Sequence, residues 1–301
     1  MVGAASIALM TDLIAGEPPS VLHPTVWMGK GIAAARTRRR EYRPIPSFTE
    51  GALALGGRVL LAAVIAGTVE LGLRRARGPK RAIATGVALK PALSLRQLLN
   101  AAADVQVALQ RRRLTEARRL LGWHLVSRDT TRLTASEVAG AAIESVAENL
   151  CDSVVAPLLA FRIGGLTLAY VYRMINTADA MLGYRTPELE WFGKASARVD
   201  DVANLVPARC AALLIACSAV AGRGSATAAA KCALFDADNT PSPNAGWPMA
   251  AMAGALGVRL AKRDTYVLNA RGREPRPSDI ARARRIVAAS AALSAIIVDL
   301  A

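Results

Sequence analysis

The sequence predicts an all-α fold: a multi-pass membrane helical bundle with an amphipathic cytoplasmic or interfacial helical segment. Three observations carry that expectation. Hydrophobic residues make up 53% of the chain but aromatic residues only 4%. Strands favour aromatic and β-branched side chains, so a sandwich or barrel is disfavoured, while runs rich in Ala and Leu favour helix. Apolar stretches recur along the 301 residues, and the basic residues behind the formal charge of +15 are gathered into blocks between them. That alternation is typical of loops flanking membrane helices.

The apolar stretches are 2–15, 53–73, 154–174, 202–222, 247–260 and 286–300. Most carry a charge: Asp12, Arg58 with Glu70, Arg162, Arg209. A clean span needs ~20 apolar residues. The longest uncharged run, 239–258, is interrupted by Pro241, Pro243 and Pro248. The set therefore reads as four to six embedded helices packed with polar faces inward. The basic blocks fall at 36–43, 74–81, 111–119 and 271–285. Stretch 53–73 has one on each side, so the loop-charge bias has it either dip in and return or pair with a second crossing. No zinc finger, RNA-recognition motif or basic-aromatic repeat accompanies the blocks, so no nucleic-acid partner is expected.

Between 91 and 132 the pattern changes. Leu95, Leu98, Leu99, Ala102, Val105 and Leu109 recur at helical spacing, the mark of an amphipathic helix. Thr134 with Glu137 three residues on reads as a capping box. Stretches 221–225 and 271–277 read as loops. With no internal repeat or low-complexity linker, one domain over 1–301 is the simplest organisation. Cys151, Cys210, Cys217 and Cys232 form no C-x-x-C pair and read as small apolar side chains. His23 and His124 are too few for a histidine-rich zinc site. The N-terminal run lacks a basic leader and contains Asp12, which argues against a cleaved signal peptide.

Four polar clusters abut the apolar stretches. Glu144, Glu148 and Asp152 are four residues apart, so on a helix they share a face, with Asn149 beside them. Like charges at that spacing repel, so the arrangement points to a cation or cationic ligand; the plainer alternative is a solvated acidic face. Asn176 and Asp179 share a second face, followed by Tyr184 and Arg185, with ordinary helix-end capping as the alternative. Arg198, Asp200, Asp201 and Asn204 form a third cluster, suited to Mg²⁺, which selects oxygen ligands; a helix N-terminus complementing its dipole is the alternative. The fourth is Ser242-Pro243-Asn244-Ala245-Gly246-Trp247-Pro248, a rigid loop that presents Asn244, or a plain turn. Charge cost predicts that the first and third clusters share one polar cavity. Neither a phosphate loop nor a dinucleotide fingerprint occurs.

These clusters, in this order, resemble the adenosylcobinamide-phosphate synthase family of cobalamin biosynthesis, CobD/CbiB-like integral membrane proteins. The stretches Asp12 to Pro19 and His23 to Gly29, and the element Arg128-Asp129-Thr130, match the same family. The resemblance runs from about residue 10 to Ile280. It implies a multi-pass protein of the cell membrane that joins adenosylcobyric acid to aminopropanol or its O-phosphate through an amide on a corrin propionate. ATP would activate the carboxylate, with Mg²⁺ neutralising charge. The implied partners are the corrinoid, aminopropanol (phosphate) and the bilayer, with room for a homo-oligomer or other cobalamin-assembly proteins. Under it, Glu148, Asp152, Asp200 and Asp201 are the expected catalytic residues, and with Glu144 the Mg²⁺ ligands. Arg185 and Lys194 are expected to meet a phosphate. Asn149, Asn176, Asp179, Asn204, Ser242 and Asn244 are expected to bind substrate. Two alternatives stand beside it: a related membrane sensor group linked to β-lactamase induction, and a Mg²⁺-dependent membrane prenyl-type transferase, which the Asp200-Asp201 pair weakly resembles.

Overall fold

The structure, a computed structural model, describes residues 3–38, 43–184 and 186–301. In chain order its helices are α1 (Ala4–Ala15), α2 (Pro24–Thr37), α3 (Pro44–Leu73), α4 (Gly78–Leu89), α5 (Leu95–Gln110), α6 (Leu114–His124) and α7 (Ala135–Leu150). After a π-helical turn, Cys151–Val155, come α8 (Ala156–Leu182), α9 (Lys194–Ala203), α10 (Leu205–Ser218), α11 (Ala226–Asp236), α12 (Gly246–Leu256) and α13 (Pro277–Leu300). Among the described residues the sole sheet is an antiparallel hairpin of β1 (Leu260–Lys262) and β2 (Tyr266–Leu268). The all-α expectation holds.

Among the described residues, three segments are long and apolar enough to cross a membrane: Pro44–Leu73, Ala135–Leu182 and Leu205–Gly222. The expected four to six shrink to these. Of the six apolar stretches, α1 and α12 are too short, at 12 and 11 residues, and α13, at 24 residues, is long enough but carries Arg284, Arg285 and Asp299. At 1.5 Å per residue α1 and α12 fall well below a ~30 Å core. Helix α3 is one uninterrupted helix and does not turn back on itself.

The chain divides into two compact units interleaved in sequence. The first takes Met1–Leu93, Ala156–Asn204 and Ala295–Ala301. Its core gathers Met28 and Ile32 of α2, Ala62 of α3, Met174 and Leu182 of α8, and Phe192. Helix α2 starts on His23, whose Nδ1 accepts the Thr25 backbone N–H, with Pro24 in the first turn where no N–H is needed. Lys90 is almost fully buried, its Nζ 3.2 Å from Asp12 Oδ1 and 2.6 Å from Glu17 Oε2. Glu17 also meets His23 Nε2 at 2.8 Å. The apolar run thus tolerates Asp12 because a cation is brought to it. Helix α8 is broken at Gly164 and Gly165, the latter at φ 63°. Only glycine accepts that backbone readily, and a Cβ there would lie 2.5 Å from the Glu70 carboxylate. Glu70 Oε2 accepts the Thr167 N–H and hydroxyl, capping the restarted helix.

The second unit takes Ser94–Val155 and Leu205–Ser294. Helix α5 buries Leu95, Leu98, Ala102, Val105 and Leu109 of the predicted stripe, and leaves Leu99 half-buried at its margin. The basic run after it bends at Arg112, φ 58°, before α6 begins. Thr134 and Glu137 form the predicted capping box. Every residue of α12 except Trp247 is buried. Asp279 opens α13, paired with Arg273 and Arg282 at 2.7 and 2.9 Å.

Candidate functional site

In the first unit, the polar cluster centres on Asp200, on the buried side of α9. Asn204, one turn on, donates from Nδ2 to Asp200 Oδ2 at 2.9 Å, and Asn176 of α8 donates to Oδ1 at 3.4 Å. Tyr172 donates its hydroxyl to Asn204 Oδ1 at 2.9 Å, and Arg173 donates to Asn176 Oδ1 at 3.2 Å. Burial raises the Asp200 carboxyl above the ordinary carboxylate range, and the two amides hold it back down. Two predicted substrate amides, Asn176 and Asn204, are thus turned onto the predicted catalytic acid. Asp201 is half-buried and lies 3.8 Å from Arg198. It lines a cavity of about 290 Å³ together with Tyr184, Glu190, Lys194 and Arg198. Lys194 sits over the Trp191 ring at 3.9 Å, with Glu190 at 3.7 Å. Asp179 packs against Gly183 at the end of α8, where a Cβ would meet its carboxylate at 2.1 Å. Arg185 lies outside the described residues.

In the second unit, Glu144 is 5% exposed, in the middle of α7. Its Oε2 lies 3.5 Å from an Arg128 guanidinium nitrogen, and its Oε1 is buried without a hydrogen bond of normal geometry. Glu148, Lys262 and the Tyr266 phenol stand within electrostatic reach of it. Burial, and then the Glu144 carboxylate, push the Tyr266 phenol above its ordinary value, so it remains a donor. Regular α-helix ends at Leu150, and Asp152 sits in the π-helical turn. The wider turn alters its rotation relative to Glu144 and Glu148; single π-turns recur at functional sites. Asn149 donates back to Ser145 within α7. The Ser242 hydroxyl accepts the N–H groups of Asn244 and Ala245, holding the loop before α12. Asn244 is buried beside it. A Cβ on Gly246 would fall 1.9 Å from the Ala237 carbonyl oxygen, so that loop requires glycine.

Sequence reasoning missed Arg128, Tyr266 and Lys262 in one unit, and Tyr172, Arg173 and Lys90 in the other. Arg128 stood in a matched element without a role. The hairpin that carries Lys262 and Tyr266 is only three residues per strand, too short for a period-2 signal.

The cation fit is partial. Among the described residues no three His, Cys, Asp or Glu side chains gather as a metal cage. Mg²⁺ is usually held by one or two carboxylates, waters and substrate phosphates. Glu144, with its unbonded Oε1, and Glu148 fit that lesser demand.

The model of the family described as CobD/CbiB protein matches residues 5–290, which contain every polar cluster above. The chain belongs to the CobD/CbiB family. A probable cobalamin biosynthesis protein CobD of Methanothermobacter thermautotrophicus is 39% identical, over 87% of this chain and 84% of its own. Cobalamin biosynthesis protein CobD of Geobacter metallireducens is 40% identical, over 86% and 81%. Cobalamin biosynthesis protein CbiB of Salmonella typhimurium is 36% identical, over 86% and 82%. No solved structure matches the chain. The CobD/CbiB match spans both units, so each cluster belongs to the family's common body rather than to an appended domain.

Proposed function

We propose that the chain is an ATP-dependent ligase that joins aminopropanol, or its O-phosphate, to a propionate side chain of adenosylcobyric acid, giving adenosylcobinamide or its phosphate. Its role in cobalamin biosynthesis follows from the CobD/CbiB family. The observation that carries the finer reading is that match, from residue 5 to residue 290, which includes every polar cluster.

A carboxylate is a poor electrophile, so amide formation requires activation. A propionate oxygen attacks the γ-phosphorus of ATP and ADP leaves. The amine nitrogen then attacks the acyl carbon, inorganic phosphate leaves, and the nitrogen loses a proton. Glu144 and Glu148 would hold Mg²⁺, with Asp152 one turn beyond; the ion would neutralise phosphate charge. Arg128 and Lys262 bring positive charge to the same face. In the first unit, Asp200, its carboxylate oriented by Asn176 and Asn204, suits the proton of the attacking amine. Glu190 and Asp201 against Lys194 and Arg198 form a cavity of both signs, which suits a small molecule carrying an amine and a phosphate. Three long apolar helices support a multi-pass protein of the cell membrane.

The test is purified protein with adenosylcobyric acid, Mg²⁺, ATP and each amine in turn, read by mass of the corrinoid product. The expected result is an amide with one amine and stoichiometric ADP release. No amide with either amine would overturn the proposal.

A further inference from the structure

A third candidate for ligand binding shares no lining residue with the Asp200 network of its own unit. An apolar groove of about 420 Å³ runs in the first unit between α2, α3 and α8. Arg58, Leu61, Ile65 and Val69 of α3 line it, with Trp27 and Tyr170 on its other walls. The lining residues of α3 recur every three or four positions, so one face of a membrane-length helix forms the floor. Over the eleven steps from Arg58 to Val69 that floor is ~16 Å long at 1.5 Å per residue, the scale of one acyl chain in one leaflet of a ~30 Å core. Only 17% of the apolar window in α3 is buried, so the groove opens where hydrocarbon would be.

Arg58 stands at one end of this floor. Its Nε donates to the Gly31 carbonyl at 2.8 Å and its Nη1 to the Ala54 carbonyl at 2.9 Å. Those bonds fix the guanidinium plane and leave Nη2 without a hydrogen bond among the described residues. Among the described residues no carboxylate pairs with it. Its charged neighbour is Arg38, at the end of α2, which acts on it with the same sign. A charge in a membrane-length helix is costly without a partner, and a second guanidinium raises that cost. A fixed guanidinium at the end of a hydrocarbon-lined groove, with a second, exposed guanidinium within electrostatic reach, calls for an amphiphile with an anionic head.

We propose that this groove binds an anionic phospholipid, its phosphate on Arg58 and Arg38 and one acyl chain along α3. The inference rests on the chain lying in a membrane and is independent of the ligase chemistry. The lipid would complete the packing of α2 against α3 and neutralise a charge the protein leaves unpaired.

Trp27 supplies the probe. Full-length protein is titrated with phosphatidylglycerol or phosphatidylcholine carrying brominated acyl chains, and quenching of Trp27 is isolated against a Trp27→Phe control. The wild type should be quenched at about twenty-fivefold lower mole fraction by the anionic lipid, since each of the two basic residues contributes about a fivefold preference. Arg38→Gln, which breaks neither carbonyl bond, should lose about fivefold of that preference, and Arg58→Gln more. Ala62→Phe, which fills the floor, should abolish quenching by both lipids. Equal quenching by the two lipids, or an Arg38→Gln protein with the full wild-type preference, would overturn the site. So would displacement of the lipid by millimolar inorganic phosphate, which would assign the guanidiniums to a soluble anion.

Discussion

Asn204 holds Asp200 from one turn away, its amide N–H 2.9 Å from Oδ2, while its own carbonyl oxygen takes the Tyr172 hydroxyl at 2.9 Å. One amide thereby links a buried carboxyl on α9 to a tyrosine on α8. Replacing Asn204 with Ala leaves the carboxyl and the phenol each short of a partner. The expected loss is about 1–3 kcal/mol, the cost of a buried group left unsatisfied. Thermal unfolding in detergent reads it, and an unchanged midpoint would remove Asn204 from the network's support.

The same carboxyl makes stability depend on pH. Its folded value lies above the ordinary range, mainly through burial. The folded state therefore holds the proton more tightly than the unfolded chain. The associated stability is present below the unfolded value of about 3.9 and is lost as pH rises through the folded value. The Asp200→Asn protein lacks this loss. The midpoint difference between variant and wild type should widen in the variant's favour from about pH 4 upward, where the carboxyl of the unfolded wild-type chain begins to ionise. Parallel curves would contradict the assignment.

Buried Glu144 pairs with the half-buried Arg128 at 3.5 Å. Removing Arg128 alone strands a buried carboxylate, and about 3–5 kcal/mol should be lost. Glu144→Gln removes the stranded charge, so the double variant Arg128→Met with Glu144→Gln should recover much of it. Additive losses in the double-mutant cycle would show that the two side chains do not interact.

Lys90 is the cation on which Asp12 and Glu17 rely. Lys90→Met should destabilise the protein by about 3–5 kcal/mol, since two carboxylates lose one shared partner. A fall of only a few tenths in unfolding free energy would mean that water reaches the cluster.

The fold was legible where side-chain period decided it. The stripe from Leu95 to Leu109 and the Thr134–Glu137 capping box appear as read, because both depend on neighbours within a few residues. The break of α8 at Gly164 and Gly165 was not legible, because the Glu70 cap comes from 97 residues away. The acidic face was half legible. Glu144 and Glu148 share regular helix, but the π-turn that carries Asp152 depends on packing rather than on spacing. Asn176, Asn204 and Ser242 read as groups waiting for substrate; the structure turns them onto Asp200 and onto backbone N–H groups. A polar side chain beside an apolar run shows in the sequence. Its partner, brought from another helix, does not.

The most direct measurement is the rate of corrinoid amide formation by wild-type, Asp200→Asn and Asp104→Asn proteins, side by side with MgATP and saturating amine. Asp104 lies exposed on α5, near Arg284. The account predicts product from the wild type, a rate lower by about two orders of magnitude or more for Asp200→Asn, the range that general acid–base groups supply, and a near-normal rate for Asp104→Asn. Near-normal amide formation by a folded Asp200→Asn protein would contradict it.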